Sequence, residues 1–80
     1  MKTIEILGGG CAKCQQLHAN AEAAAKALNL EYRIEKITDF REIAKRGVLT
    51  TPGLAVDGVV QSAGKLLTSE QIKALLSHQS

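Results

Sequence analysis

The sequence predicts an α/β fold of order βαβαββα, with a four-stranded mixed sheet and helices on both faces. Three observations carry this expectation. An alternating apolar segment near the N-terminus ends in Gly8-Gly9-Gly10, an alanine-rich helical pattern then leads to a second alternating segment, and Asp57-Gly58 joins two short strands ahead of a last amphipathic helix. Eighty residues make one domain, 1–80, and a chain this short builds only a modest core.

The first strand is expected over Thr3 to Leu7, where Ile4 and Ile6 alternate with Thr3, Glu5 and Leu7. The first helix runs from about Ala12 to Leu28, with Leu17, Ala21, Ala24, Ala25 and Leu28 on one apolar face. Alanine favours helix and lets it pack close to a sheet. Leu30 to Lys36 forms the second strand, with Leu30, Tyr32 and Ile34 on one face. Strand, helix and strand make a right-handed parallel crossover. Asp39 caps a short second helix, Glu42 is its capping-box-like partner, and Phe40, Ile43 and Ala44 are expected to face inward. Gly47 stops it.

Thr51-Pro52 then leads into a strand over Gly53 to Val56, and Asp57-Gly58 is a two-residue hairpin signal before a return strand over Val59 to Ser62. Gly64 breaks that strand. Thr68 starts the final helix with Gln71 completing a capping box, Leu67 and Ile72 as a hydrophobic staple, and Ile72, Leu75 and Leu76 on the inner face.

Composition removes several function classes. Ten basic and eight acidic residues leave a net charge of +2, with no basic run and few aromatics, so no nucleic-acid partner is expected. No apolar stretch approaches the ~20 residues that cross a bilayer, so no membrane partner is expected either. Lys2 and a few apolar residues interrupted by Glu5 do not make a secretory signal, and the expected location is cytoplasmic. Stable structural disulfides are rare there. A monomer is expected.

Cys11-Ala12-Lys13-Cys14 follows a strand and a glycine turn and opens a helix. Residues three apart on a helix share a face, so one turn can bring two sulfurs into bonding range. The unpaired N–H groups and positive dipole end of the helix favour a thiolate, the reactive form of cysteine. Cys11, at the helix tip beside Gly10, is therefore the expected nucleophile, and Cys14, one turn deeper, the resolving thiol. Lys13 either adds positive charge that favours the thiolate or is an ordinary solvated helix charge. The exchange needs no cofactor.

The segment Gly8-Gly9-Gly10-Cys11-Ala12-Lys13-Cys14-Gln15-Gln16-Leu17, followed by Thr51-Pro52 before a hairpin, resembles the small thioredoxin-like redox-active disulfide proteins of bacteria and archaea, glutaredoxin-sized members of the thioredoxin superfamily. The likeness covers nearly the whole chain. It implies a thioredoxin-like fold, an oxidoreductase reducing protein disulfides, and a partner reductase that re-reduces the dithiol. It also implies that Pro52 is cis beside the cysteine pair and that Thr51 offers its backbone to substrate. Glu5 lies six residues before Cys11, where thioredoxins keep a buried acid that takes a proton from the resolving cysteine; the plainer expectation is a solvent-facing strand charge. The chain departs from thioredoxins in having Gly10 before Cys11 and Ala12-Lys13 between the cysteines. It departs from glutathione-using glutaredoxins in having Ser62-Ala63-Gly64-Lys65, without an acid, after the hairpin.

A rival reading is a thiolate carrier of a soft metal such as copper(I), zinc or arsenite. Such carriers have a βαββαβ order, whereas a second helix precedes the hairpin here and the chain ends in a helix. Cys11, Cys14 and His18 fall on one helix stripe, yet a surface or partly packed histidine is the plainer reading of His18, and no metal ligand set is expected. A docking module without turnover is the third class.

Overall fold

The computed structural model describes residues 2–10 and 12–78. Its elements are β1 (Lys2–Leu7), α1 (Ala12–Ala27), β2 (Tyr32–Ile37), α2 (Phe40–Lys45), β3 (Gly53–Val56), β4 (Val59–Ala63) and α3 (Ser69–His78). The sheet order is β2-β1-β3-β4. β1 runs parallel to β2 and antiparallel to β3, and β3 and β4 form a hairpin. This is the expected βαβαββα mixed sheet. Among the described residues no helix is long and apolar enough to cross a membrane.

Alternation along β1 divides the interior in two. Ile4 and Ile6 join Leu17, Ala21, Ala24 and Ala25 of α1, Leu54 and Val56 of β3, and Ile72 and Leu76 of α3. Leu7 turns the other way and meets Ile43 of α2, Val48 and Ala55. The helices therefore cover both faces, with α1 and α3 on one and α2 on the other. Burying a large aliphatic side chain contributes about 1.5–3 kcal/mol, so the first cluster, with most of the large side chains, dominates the stability of the fold.

The ends of the elements show which local signals decide. α1 stops at Ala27 because Asn29 adopts a left-handed φ of 56°. The Leu30 N–H then donates to Ala25 O at 3.1 Å and the Asn29 N–H to Lys26 O at 3.0 Å, a Schellman cap. That cap occupies the Leu30 N–H, which is why β2 begins at Tyr32 rather than at the expected Leu30. Asp39 caps α2 by accepting from Arg41 N–H at 2.9 Å. Glu42 does not complete a capping box but pairs with Lys45 and Arg46. Of the three residues expected to face inward from α2, only Ile43 is buried; Phe40 and Ala44 are exposed. α2 has six residues, and so short a helix turns a single side chain to the sheet. At α3 the expected box forms in full, Thr68 N–H to Gln71 Oε1 at 3.0 Å and Gln71 N–H to Thr68 Oγ1 at 3.2 Å.

The hairpin uses two positive φ angles, 52° at Asp57 and 84° at Gly58, the type I′ geometry that matches strand twist. β4 carries one extra residue, since Leu54 pairs with Ser62 while Ala55 pairs with Val60. The turn also clamps β1. Thr3 N–H donates to the Asp57 carboxylate at 2.9 Å, Asp57 N–H donates to Thr3 O at 2.8 Å, and Lys2 lies 3.5 Å from the same carboxylate.

These contacts, the Thr3 hydrogen bond first, hold the Asp57 carboxyl below its ordinary value of 3.8. A folded pKa below the unfolded one stabilises the protein above the unfolded pKa, and that contribution fades as the pH falls through the folded value. Asp57→Asn keeps the turn and the acceptor but not the charge. Thermal unfolding is therefore expected to show a lower Tm for the variant at neutral pH and convergence of the two proteins below pH 3.8. Parallel curves across that range would remove the carboxylate from this role.

Candidate functional site

β1 delivers the chain to one end of the sheet, where Gly8 N–H still donates to Ile37 O at 2.9 Å. Gly10 turns it into α1 with a φ of 87°, a conformation that L side chains rarely adopt. The Gln15 side chain holds the turn by donating to Gly10 O at 3.2 Å. The first turn of α1 contains no acidic residue, so nothing there opposes negative charge at the helix start.

Cys14 is 4% exposed and begins the inner stripe of α1 that continues through Leu17 and Ala21. Its sulfur rests on the backbone of Gly8: a Cβ on Gly8 would run into Cys14 Sγ and lie 3.6 Å from Thr51 Cβ. Cys14 and Thr51 thus both border the space that a side chain at position 8 would fill, and only glycine leaves it to them. The Thr51–Pro52 peptide bond is cis; Pro52 is fully buried, and Thr51 is exposed. Pro52 O accepts from Gly64 N–H at 2.8 Å, so the end of β4 closes on the same corner. A Cβ on Gly64 would lie 2.7 Å from Thr50 Oγ1.

On its other side Cys14 borders a hollow of about 70 Å³, lined also by Ile6, Gly8, Gly10, Gln15, Lys36 and Thr38. A larger hollow of about 590 Å³, at Lys2, Leu30 and Leu76, lies at the opposite end of β1.

The structure therefore brings Gly10, Lys13, Cys14, Thr51 and Pro52 to one end of the sheet. Cys11 lies outside the described residues. Lys13 is exposed. Glu5 is set apart and overturns the expectation of a solvent-facing charge: it is 8% exposed, on the face of β1 turned to α2. Arg46 grips its carboxylate with two bonds, Nη2 to Oε2 at 2.8 Å and Nε to Oε1 at 3.2 Å. Arg46 also donates to Glu42 O at 3.0 Å, so the pair ties the C-terminal end of α2 to β1. His18 is half-buried. Among the described residues no three His, Cys, Asp or Glu side chains gather as a metal would require.

Two features of the site escaped sequence reading. Phe40 is 68% exposed and lies over the glycine turn, its Cζ 3.7 Å from where a Gly9 Cβ would be. Leu49, just ahead of Thr50 and Thr51, is 89% exposed. A large apolar residue at the start of so short a helix, and another before a Thr-Thr-Pro turn, were the available signals.

A family model described as a thioredoxin domain matches residues 2–77. A thioredoxin of Methanothermobacter thermautotrophicus is 43% identical over 77 residues, which cover 96% of this chain and all of that protein. A thioredoxin of Methanocaldococcus jannaschii is 42% identical over 73 residues, covering 91% of this chain and 84% of its own length. A solved structure titled as that of a malarial protein superposes with a TM-score of 0.73 over 98% of this chain and 96% of its own; at 12% identity the likeness is one of fold.

Proposed function

Because the chain belongs to the thioredoxin family, we propose that it reduces disulfide bonds of partner proteins through Cys11 and Cys14. The Cys11 thiolate attacks one sulfur of the substrate disulfide, forming a mixed disulfide and releasing the other substrate sulfur as a thiolate that takes up a proton. Cys14 then gives up its proton and attacks Cys11. The substrate leaves as a dithiol, and the protein holds one new S–S bond, two electrons poorer. A partner reductase returns those electrons.

The observation that supports this reading best is the seat of Cys14 in the first turn of α1, against the Gly8 backbone, with Thr51 beside the same glycine and the cis-bonded Pro52 next to it in the chain. A resolving thiol benefits from burial, because it meets only the sulfur delivered to it. Gly10 and Thr51 are the exposed backbone to which a substrate strand pairs, and Lys13 adds positive charge beside the thiolates. Reduction rather than oxidation suits a cytoplasmic setting.

Equilibrating the purified protein against graded ratios of reduced and oxidised dithiothreitol tests the proposal. Two thiols are expected to vanish together in one reversible transition, without dimers. Thiols that stay reduced at every ratio, or titrate separately, would exclude a working pair.

A further inference from the structure

Among the described residues, the positive charge left without an acidic partner is gathered at the cysteine end. Lys13, Lys36 and Lys65 are exposed, and among the described residues none of them has a carboxylate partner. Every other lysine and arginine has one, at distances from 2.8 Å for Arg46–Glu5 to 3.6 Å for Arg41–Asp39. The three follow from the topology. Lys13 stands in the first turn of α1, Lys36 borders the Cys14 hollow at the end of β2, and Lys65 follows the Gly64 that closes on Pro52. The acids at this end of α2 are occupied, Asp39 by the Arg41 N–H and side chain and Glu42 by Lys45 and Arg46.

The same end carries the two most exposed large apolar residues, Phe40 and Leu49. The sheet order lays these groups out in a row. Phe40 follows β2, the glycine turn and Cys14 follow β1, Leu49 to Pro52 precede β3, and Gly64 and Lys65 follow β4.

We infer that this row docks a polypeptide segment in which the disulfide is flanked by acidic and apolar side chains. The lysines supply the complement to the acids, and Phe40 and Leu49 the complement to the apolar groups. A small anionic disulfide would satisfy the lysines but leave Phe40 and Leu49 uncovered, which is why a polypeptide is the occupant. The inference deepens the dithiol reading and rests on it.

Single-turnover reduction by the dithiol form of the full chain tests it, with three disulfide peptides of one length and one leucine flank. They differ only in carrying glutamate, glutamine or lysine beside the cysteines, and oxidised glutathione serves as the small anionic disulfide. Matched charge raises encounter rates by about tenfold or more at low salt. The glutamate peptide is therefore expected to react about tenfold faster than the lysine peptide, and faster than glutathione disulfide. The difference should collapse near 1 M salt, where screening acts over about 3 Å. Lys65→Glu, which takes the row from three unpaired positive charges to a net of one, should narrow the gap between the glutamate and lysine peptides, and Phe40→Ala should slow all three peptides while sparing glutathione disulfide. Equal rates for the three peptides would overturn the inference and leave the dithiol reading standing, as would glutathione disulfide reacting fastest. Failure to reduce any of the four would overturn both.

Discussion

Serine in place of Cys11 is expected to abolish disulfide exchange, and serine in place of Cys14 to freeze it halfway. Exchange starts with a thiolate, and a hydroxyl stays protonated at neutral pH. Removing such a nucleophile costs roughly a thousandfold or more in kcat/KM. Cys14→Ser keeps the attack but loses the sulfur that ends it, so a covalent complex with substrate through Cys11 should accumulate and dissolve on adding dithiothreitol. Cys14 is buried and serine is smaller, so folding should survive. Non-reducing gel electrophoresis and thermal unfolding of both variants make the comparison. Trapping through Cys14 in the Cys11→Ser variant would reverse the two roles. Unchanged rates in both variants would place the chemistry elsewhere.

Glu5→Ala is expected to be the most damaging change outside the interior clusters. It strands the Arg46 guanidinium, whose side chain is 27% exposed, with only Glu42 for company. The variant loses both bonds that join β1 to the C-terminal end of α2 and leaves the guanidinium without its nearest carboxylate. The Tm should fall by several degrees. Glu5→Gln, which keeps an acceptor, should fall less. The acid lies on the α2 face of β1 and Cys14 on the α1 face, so the pH profile of exchange should be the same in Glu5→Gln and the parent protein. A profile that moves would restore Glu5 as the proton acceptor for Cys14.

What the sequence made legible was local. The Thr68–Gln71 box, the Asp57-Gly58 turn and the Cys11-Ala12-Lys13-Cys14 segment each declare themselves within four residues, because their physics is a hydrogen bond or a helical turn. The element order followed from them. Asn29 escaped because its signal as a helix end is weaker than that of glycine, and the error carried into the start of β2. The Glu5–Arg46 pair spans 41 positions, beyond any local pattern, so Glu5 read as an ordinary strand charge. The contact of Gly8 with Cys14 is also tertiary: the three glycines looked alike in sequence, yet one fits a sulfur, one underlies Phe40 and one makes the turn. The concentration of lysine charge emerged only once every other cation had found its acid.

The extra residue in β4 has a consequence for how the molecule behaves in a crowd. β4 forms one border of the sheet, and a regular border strand is a template on which a neighbouring chain can add its own backbone. Gln61 interrupts the one-to-one pairing with β3, and such a step bends the strand and sharpens its twist. The outward amides and carbonyls then lose the even spacing that growth by strand addition requires. A domain that gathers apolar side chains at its business end therefore keeps this flank from recruiting copies of itself.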